Sequence, residues 1–110
     1  MERFVAGEVV VLEFPFSDLM SFKRRPALII KIAKGEDLII CQITATSQEK
    51  SLEIPIFNKD FSRGGLKKNS FVRIDKITTI KNTRIKYKIG SLKQEKFKSI
   101  LEKLCNLLRS

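Results

Sequence analysis

The apolar positions of the chain fall into short runs separated by polar turns. Gly7 to Phe14 reads GEVVVLEF, a valine-rich run of strand length, and Pro15 breaks it. Residues 16–25 read as a polar loop carrying Ser17, Asp18 and Ser21 and ending in Lys23, Arg24 and Arg25. By pattern, Phe22 and Lys23 are exposed on that loop. Pro26 opens a second apolar run, PALIIKIA. Lys34, Gly35, Glu36 and Asp37 signal a tight turn. A third run, LIICQIT, follows at once, so residues 26–44 predict a β-hairpin. These runs are apolar nearly throughout, the pattern of strands covered on both faces.

The second half is more broken. Leu52 to Ile56 is a short strand, and Pro55 argues for an edge position. Lys59 to Phe61 fits a short helical turn, ended by Gly64 and Gly65. Ser70 to Ile74 (SFVRI) and Lys76 to Ile80 (KITTI) each alternate, and Ile85 to Ile89 is a last short strand. Ser91 to Gln94 has the spacing of a capping box. Leu92, Phe97, Ile100, Leu101, Leu104, Leu107 and Leu108 then recur at helical spacings and make one apolar stripe. Short strands joined by tight turns, then one helix, predict a mainly β fold: a partly open antiparallel barrel with a C-terminal helix. Residues 1–110 form a single domain, with no repeat or linker. The stripe covers the barrel's open end, with a share in a dimer interface as the alternative.

Composition sharpens this picture in three ways. With 43% hydrophobic residues the chain can bury a modest core. Its 22 Lys and Arg against 12 Asp and Glu leave a net charge of +10, a field that attracts polyanions. Histidine is absent, which removes the commonest general acid–base and the commonest metal ligand. Cys41 and Cys105 lie in apolar contexts and read as buried thiols, neither a metal site nor a disulfide framework. No cofactor motif is present. The N-terminus lacks a signal-peptide pattern, and no run approaches the roughly 20 apolar residues of a membrane span. A cytoplasmic protein without a membrane partner is expected.

Four polar spots interrupt or end the apolar runs. Arg25, behind Lys23 and Arg24, is held at a strand start by Pro26, where its planar guanidinium can grip a phosphate with two bonds. Gln42, Thr44 and Thr46 share one face of the third run. Arg73 and Asp75 share a face of theirs, as a structural ion pair or as a phosphate clamp beside a carboxylate. Lys67 and Lys68 form a basic loop suited to phosphate-backbone contacts. Arginines, a hydroxyl and a carboxylate, without histidine or metal, suit one reaction class. RNA carries its own nucleophile, the 2′-OH, so an enzyme need only position it, take its proton and stabilise the charged transition state.

The segments GEVVVLEFPFSD, KRRPALII, QIT, DFSRGGLKKNSFVRIDKITTI and KIGSL, in this order, resemble the PemK/MazF family of toxin–antitoxin ribonucleases from about Glu8 to Leu108. The resemblance implies an SH3-like barrel with a C-terminal helix, acting as a homodimer. It implies sequence-selective cleavage of single-stranded RNA without a metal or cofactor, and inhibition by a cognate antitoxin. It places catalytic roles on Arg25, as transition-state clamp, and on Thr44, as a positioning hydroxyl. The pattern of the PemK branch adds Asp75 as a candidate base and Arg73 as phosphate stabiliser or proton donor. Lys23, Arg24, Gln42, Thr46 and Lys68 are the expected RNA contacts. The chain departs from the members that carry a histidine in the first loop.

Two other readings compete. Gyrase-binding toxins of the CcdB type share the general fold without RNA chemistry. A non-catalytic RNA-binding barrel would stack bases on exposed aromatics. The chain has only eight Phe, one Tyr and no Trp. Most of the Phe lie in apolar strand contexts, so no stacking platform is evident from sequence.

Overall fold

The computed structural model describes residues 3–15 and 22–110. The expected loop with Ser17, Asp18 and Ser21 lies outside the described residues, as does the side chain of Phe22. Among the described residues seven strands precede one α-helix: β1 (Glu8–Pro15), β2 (Phe22–Ile32), β3 (Asp37–Thr44), β4 (Glu53–Ile56), β5 (Phe61–Gly64), β6 (Ser70–Lys81), β7 (Ile85–Leu92) and α1 (Gln94–Arg109). All pairings are antiparallel, in the order β4-β6-β3-β2-β1-β7-β5. The sheet is open between β4 and β5, and Pro55 sits on the edge strand β4, as expected. The extents of 32 × 32 × 31 Å are equal in all directions, as for a sheet rolled on itself.

The apolar runs are apolar because β1–β3 carry a buried layer on each face. Val9, Leu28, Cys41 and Ile43 belong to one cluster, joined by Ile100 and Leu104 of α1. Val10, Leu12, Ala27, Ile29, Leu38 and Ile40 form the other, on the alternate positions. Phe97 and Leu107 add to the helix contact, whereas Leu108 is 68% exposed and Leu92 belongs to β7.

Several expectations are corrected. Pro26 does not open the second strand, which already begins at Phe22 and pairs with β1 through Arg24, Arg25 and Pro26. The two alternating runs after Ser70 are one strand, β6. Strand β5 was not expected, since three of its four residues are exposed and it carries almost no apolar pattern. It forms because Gly64 and Gly90 face each other across β5 and β7, where a Cβ on either would collide with the opposing backbone. The capping box does not form. Ser91 is tied into the sheet opposite Glu8 and Arg63, and Lys93 precedes the helix without a side-chain cap.

Cys41 is buried, but Cys105 is exposed on α1, contrary to expectation, because it lies off the helix's apolar stripe. Burial, and then the charge of Asp75, push the Cys41 thiol up to about 11. A thiol reagent at neutral pH is expected to modify Cys105 in the native protein and Cys41 only on unfolding. Fast labelling of both in the folded state would contradict this packing.

Candidate active site

The site is built where the sheet's pairing fails. Pairing of β2 with β3 begins only at Ala27, opposite Gln42. Pro26, one residue earlier, has no N–H with which to extend that ladder. The stretch from Phe22 to Pro26 therefore pairs with β1 alone and parts from the end of β3. On the other side of β3, Cys41 pairs with Ile77 and Ile43 with Val72, so Arg73 to Lys76 bulge out opposite Gln42. This bulge falls where the sequence pattern separated two short strands.

A cleft of about 300 Å³ opens at this place. Arg25, Gln42, Thr44 and Arg73 line it, from three different strands. Gln42 and Thr44 continue the face that Leu38 and Ile40 bury, and Arg25 continues that of Ala27 and Ile29. The cleft is thus the polar end of an apolar layer, and Phe14 of that layer also borders it.

Asp75 does not line this cleft but is bound to a residue that does. Arg73 Nε donates to Asp75 Oδ1 at 2.9 Å and Nη2 to Oδ2 at 2.8 Å, a two-pronged ion pair. The Arg73 hydrogen bond holds the Asp75 carboxyl below its usual range, and the same contact raises Arg73 above the usual arginine range. The third contact of the guanidinium runs from Nη1 to Gln48 Oε1 at 3.1 Å. Behind it lies Glu53, opposite Arg73 in the β4–β6 pairing. The Glu53 carboxylate accepts from Ser47 Oγ at 2.7 Å, Gln48 N at 2.7 Å and Glu49 N at 3.1 Å. These bonds, led by that from Gln48 N, hold its pKa down.

The remaining expected contacts are distributed around this centre. The Thr44 hydroxyl donates to Thr46 O and accepts from Thr46 N, both at 3.2 Å, so Thr46 orients Thr44 through its backbone while its own side chain is exposed. Arg24 and Lys68 line a second cleft of about 450 Å³, which Arg25 also borders. Lys23 is exposed, opposite Phe14 on β1, and lines neither cleft. Phe14, Gln48, Glu53 and Lys76 were not anticipated. Lys76 is the last residue of the bulge and had a signal in its neighbour Asp75; Glu53 and Gln48 acquire their place only through the β4–β6 register. Among the described residues no group of His, Cys, Asp or Glu is arranged to hold a metal ion.

A match to the family of PemK-like, MazF-like toxins of type II toxin–antitoxin systems runs over residues 6–108. The chain belongs to that family. No curated protein matches the toxin at a significant level. Solved structures give the same fold. An endoribonuclease from a mycobacterial species is 16% identical with a TM-score of 0.74, covering 98% of the toxin and 93% of that chain. The Mycobacterium tuberculosis toxin MazF-mt6 is 21% identical with a TM-score of 0.68, covering 91% and 96%. MazF in the MazE–MazF complex of Deinococcus radiodurans is 20% identical with a TM-score of 0.71, covering 94% of each chain.

Proposed function

We propose that the toxin is an endoribonuclease that cuts single-stranded RNA by attack of a 2′-OH on the adjacent phosphodiester, without a metal or cofactor. The observation that carries this reading is the convergence of Arg25, Thr44 and Arg73 on one cleft. O2′ bonds to phosphorus, its proton passes to a base, and the 5′-oxygen departs and takes up a proton. Negative charge grows on the non-bridging oxygens, and preformed guanidinium groups are the donors best matched to it. Arg25 is the clamp on those oxygens and Thr44 positions the phosphate or the ribose. Asp75 is a weak base while Arg73 holds it. A phosphate that draws the Arg73 guanidinium to itself releases Asp75, whose pKa then rises toward the ordinary carboxylate range. Substrate binding would so create the base it needs.

The same reading makes the protein a cytoplasmic homodimer inhibited by a cognate antitoxin. Among the described residues no helix is long and apolar enough to cross a membrane. A gyrase-binding role requires no convergence of arginines and a hydroxyl in one cleft, and a passive RNA-binding barrel requires no paired carboxylate. The test is incubation of purified toxin with single-stranded RNA in EDTA. The expected products carry a 2′,3′-cyclic phosphate and a 5′-hydroxyl, and 2′-O-methylation at the cut site abolishes cleavage. RNA that is bound but stays whole, or that is cut equally well when 2′-O-methylated, would refute the reaction.

A further inference from the structure

The second cleft is the larger of the two, and the proposed chemistry does not account for it. It lies where the loop following β5 meets residues of β1, β2 and β7. Val11, which is 6% exposed, and the partly buried Leu66 and Ile89, which pack against the first core cluster, give it an apolar lining. Arg24, Lys67 and Lys68 supply three positive charges, and no carboxylate lines the cleft among the described residues. Tyr87 also lines it and is 47% exposed, which leaves much of its ring open to the cleft's cationic surroundings.

We propose that this cleft is a nucleotide subsite for the RNA strand running on from the scissile phosphate, with a base stacked on Tyr87 and the flanking phosphates held by Arg24, Lys67 and Lys68. The inference rests on the ribonuclease reading above. Three observations favour RNA over an acidic protein. Arg25 borders both clefts, so a strand whose phosphate lies at Arg25 enters this one without leaving cationic surface. An aromatic face beside Lys and Arg is the combination that binds single strands, with the ring taking any base and the cations following the backbone. The apolar lining removes water from one side of a stacked base, which a charged peptide does not need.

Tyr87 is the sole tyrosine and the chain has no tryptophan, so tyrosine emission reports on this cleft alone. The experiment titrates the full-length toxin with uncleavable eight-nucleotide 2′-O-methyl oligomers of uridine and of adenosine, corrected for absorbance with free N-acetyltyrosinamide. Polyglutamate serves as the acidic-peptide control. Saturable quenching by both oligomers and none by polyglutamate is expected. In cleavage assays Tyr87→Ala should raise KM for long RNA about tenfold, with a smaller change in kcat, and Tyr87→Phe should restore it. If emission does not respond at oligomer concentrations that inhibit cleavage, RNA binds elsewhere and the subsite is wrong while the ribonuclease stands. A response to polyglutamate alone, or equally to both polyanions, assigns the cleft to general or protein binding and also overturns the proposal. Absence of both oligomer binding and RNA cleavage would remove the subsite together with the function on which it rests.

Discussion

Arg25→Ala is expected to lower RNA cleavage by about 10³-fold, the cost of removing one preorganised donor from a developing oxyanion. Several features of the fold make this the most damaging single change. Arg25 sits on β2 opposite Leu12, which is 1% exposed, so its backbone is fixed by the core beneath it. The following Pro26 ends the approach of β3 and keeps the cleft open beside the guanidinium. Because Arg25 itself is only partly buried, the alanine variant should fold and melt like the parent, which a circular-dichroism melt would establish. Arg25→Lys should recover little, since an ammonium is a point charge and cannot offer two parallel N–H bonds to a phosphate. Thr44→Val keeps the branched shape but removes the hydroxyl that meets Thr46, so a smaller loss is expected. The two losses should not add in the double variant if both groups act on the same phosphate. Cleavage by Arg25→Ala at the parental rate would displace the reaction from this cleft.

The parts of this site that could be read from sequence are those set by local chemistry. Arg25 was marked by the proline after it, Thr44 by the change from LIIC to alternating polar residues, and Arg73 with Asp75 by a spacing of two. Their meeting depends on strand order, which local pattern does not contain: β3 separates β2 from β6 in the sheet. The same limit hid β5, whose existence depends on the contact of Gly64 with Gly90 some 26 residues away. It also hid the fate of Ser91, where strand pairing with Glu8 and Arg63 prevails over a helix cap worth only about 1 kcal/mol. The barrel and its helix were legible because burial on two faces imposes a period on the sequence. Pro26 shows the converse, a residue read correctly as punctuation but assigned to the wrong event. It ends a pairing rather than starting a strand.

Glu53→Gln should reveal how the site is held together. Glu53 is 8% exposed and receives three hydrogen bonds from Ser47, Gln48 and Glu49, so one carboxylate fixes the loop that carries Gln48 to Arg73. An amide keeps one oxygen for the Gln48 and Glu49 N–H groups but turns the other into a donor, so the Ser47 hydroxyl must reverse its hydrogen bond, and it leaves Arg73 without the negative charge across the β4–β6 pair. Cleavage should fall about 10- to 100-fold through misplacement of Arg73, although Glu53 meets no substrate. Stability provides a separate signature. The folded pKa of Glu53 lies below its ordinary value of 4.5, so the unfolded chain binds the extra proton and the carboxylate stabilises the fold above that value. That contribution is lost as pH falls through the folded pKa. The parent should therefore melt higher than Glu53→Gln at neutral pH, and the difference should shrink below about pH 4. Asp75, also held low, remains in both proteins and cancels in the comparison to first order. A difference in melting temperature that stays constant from neutral to acid pH would show that Glu53 acts by shape alone, and that its charge does not hold Arg73 in place.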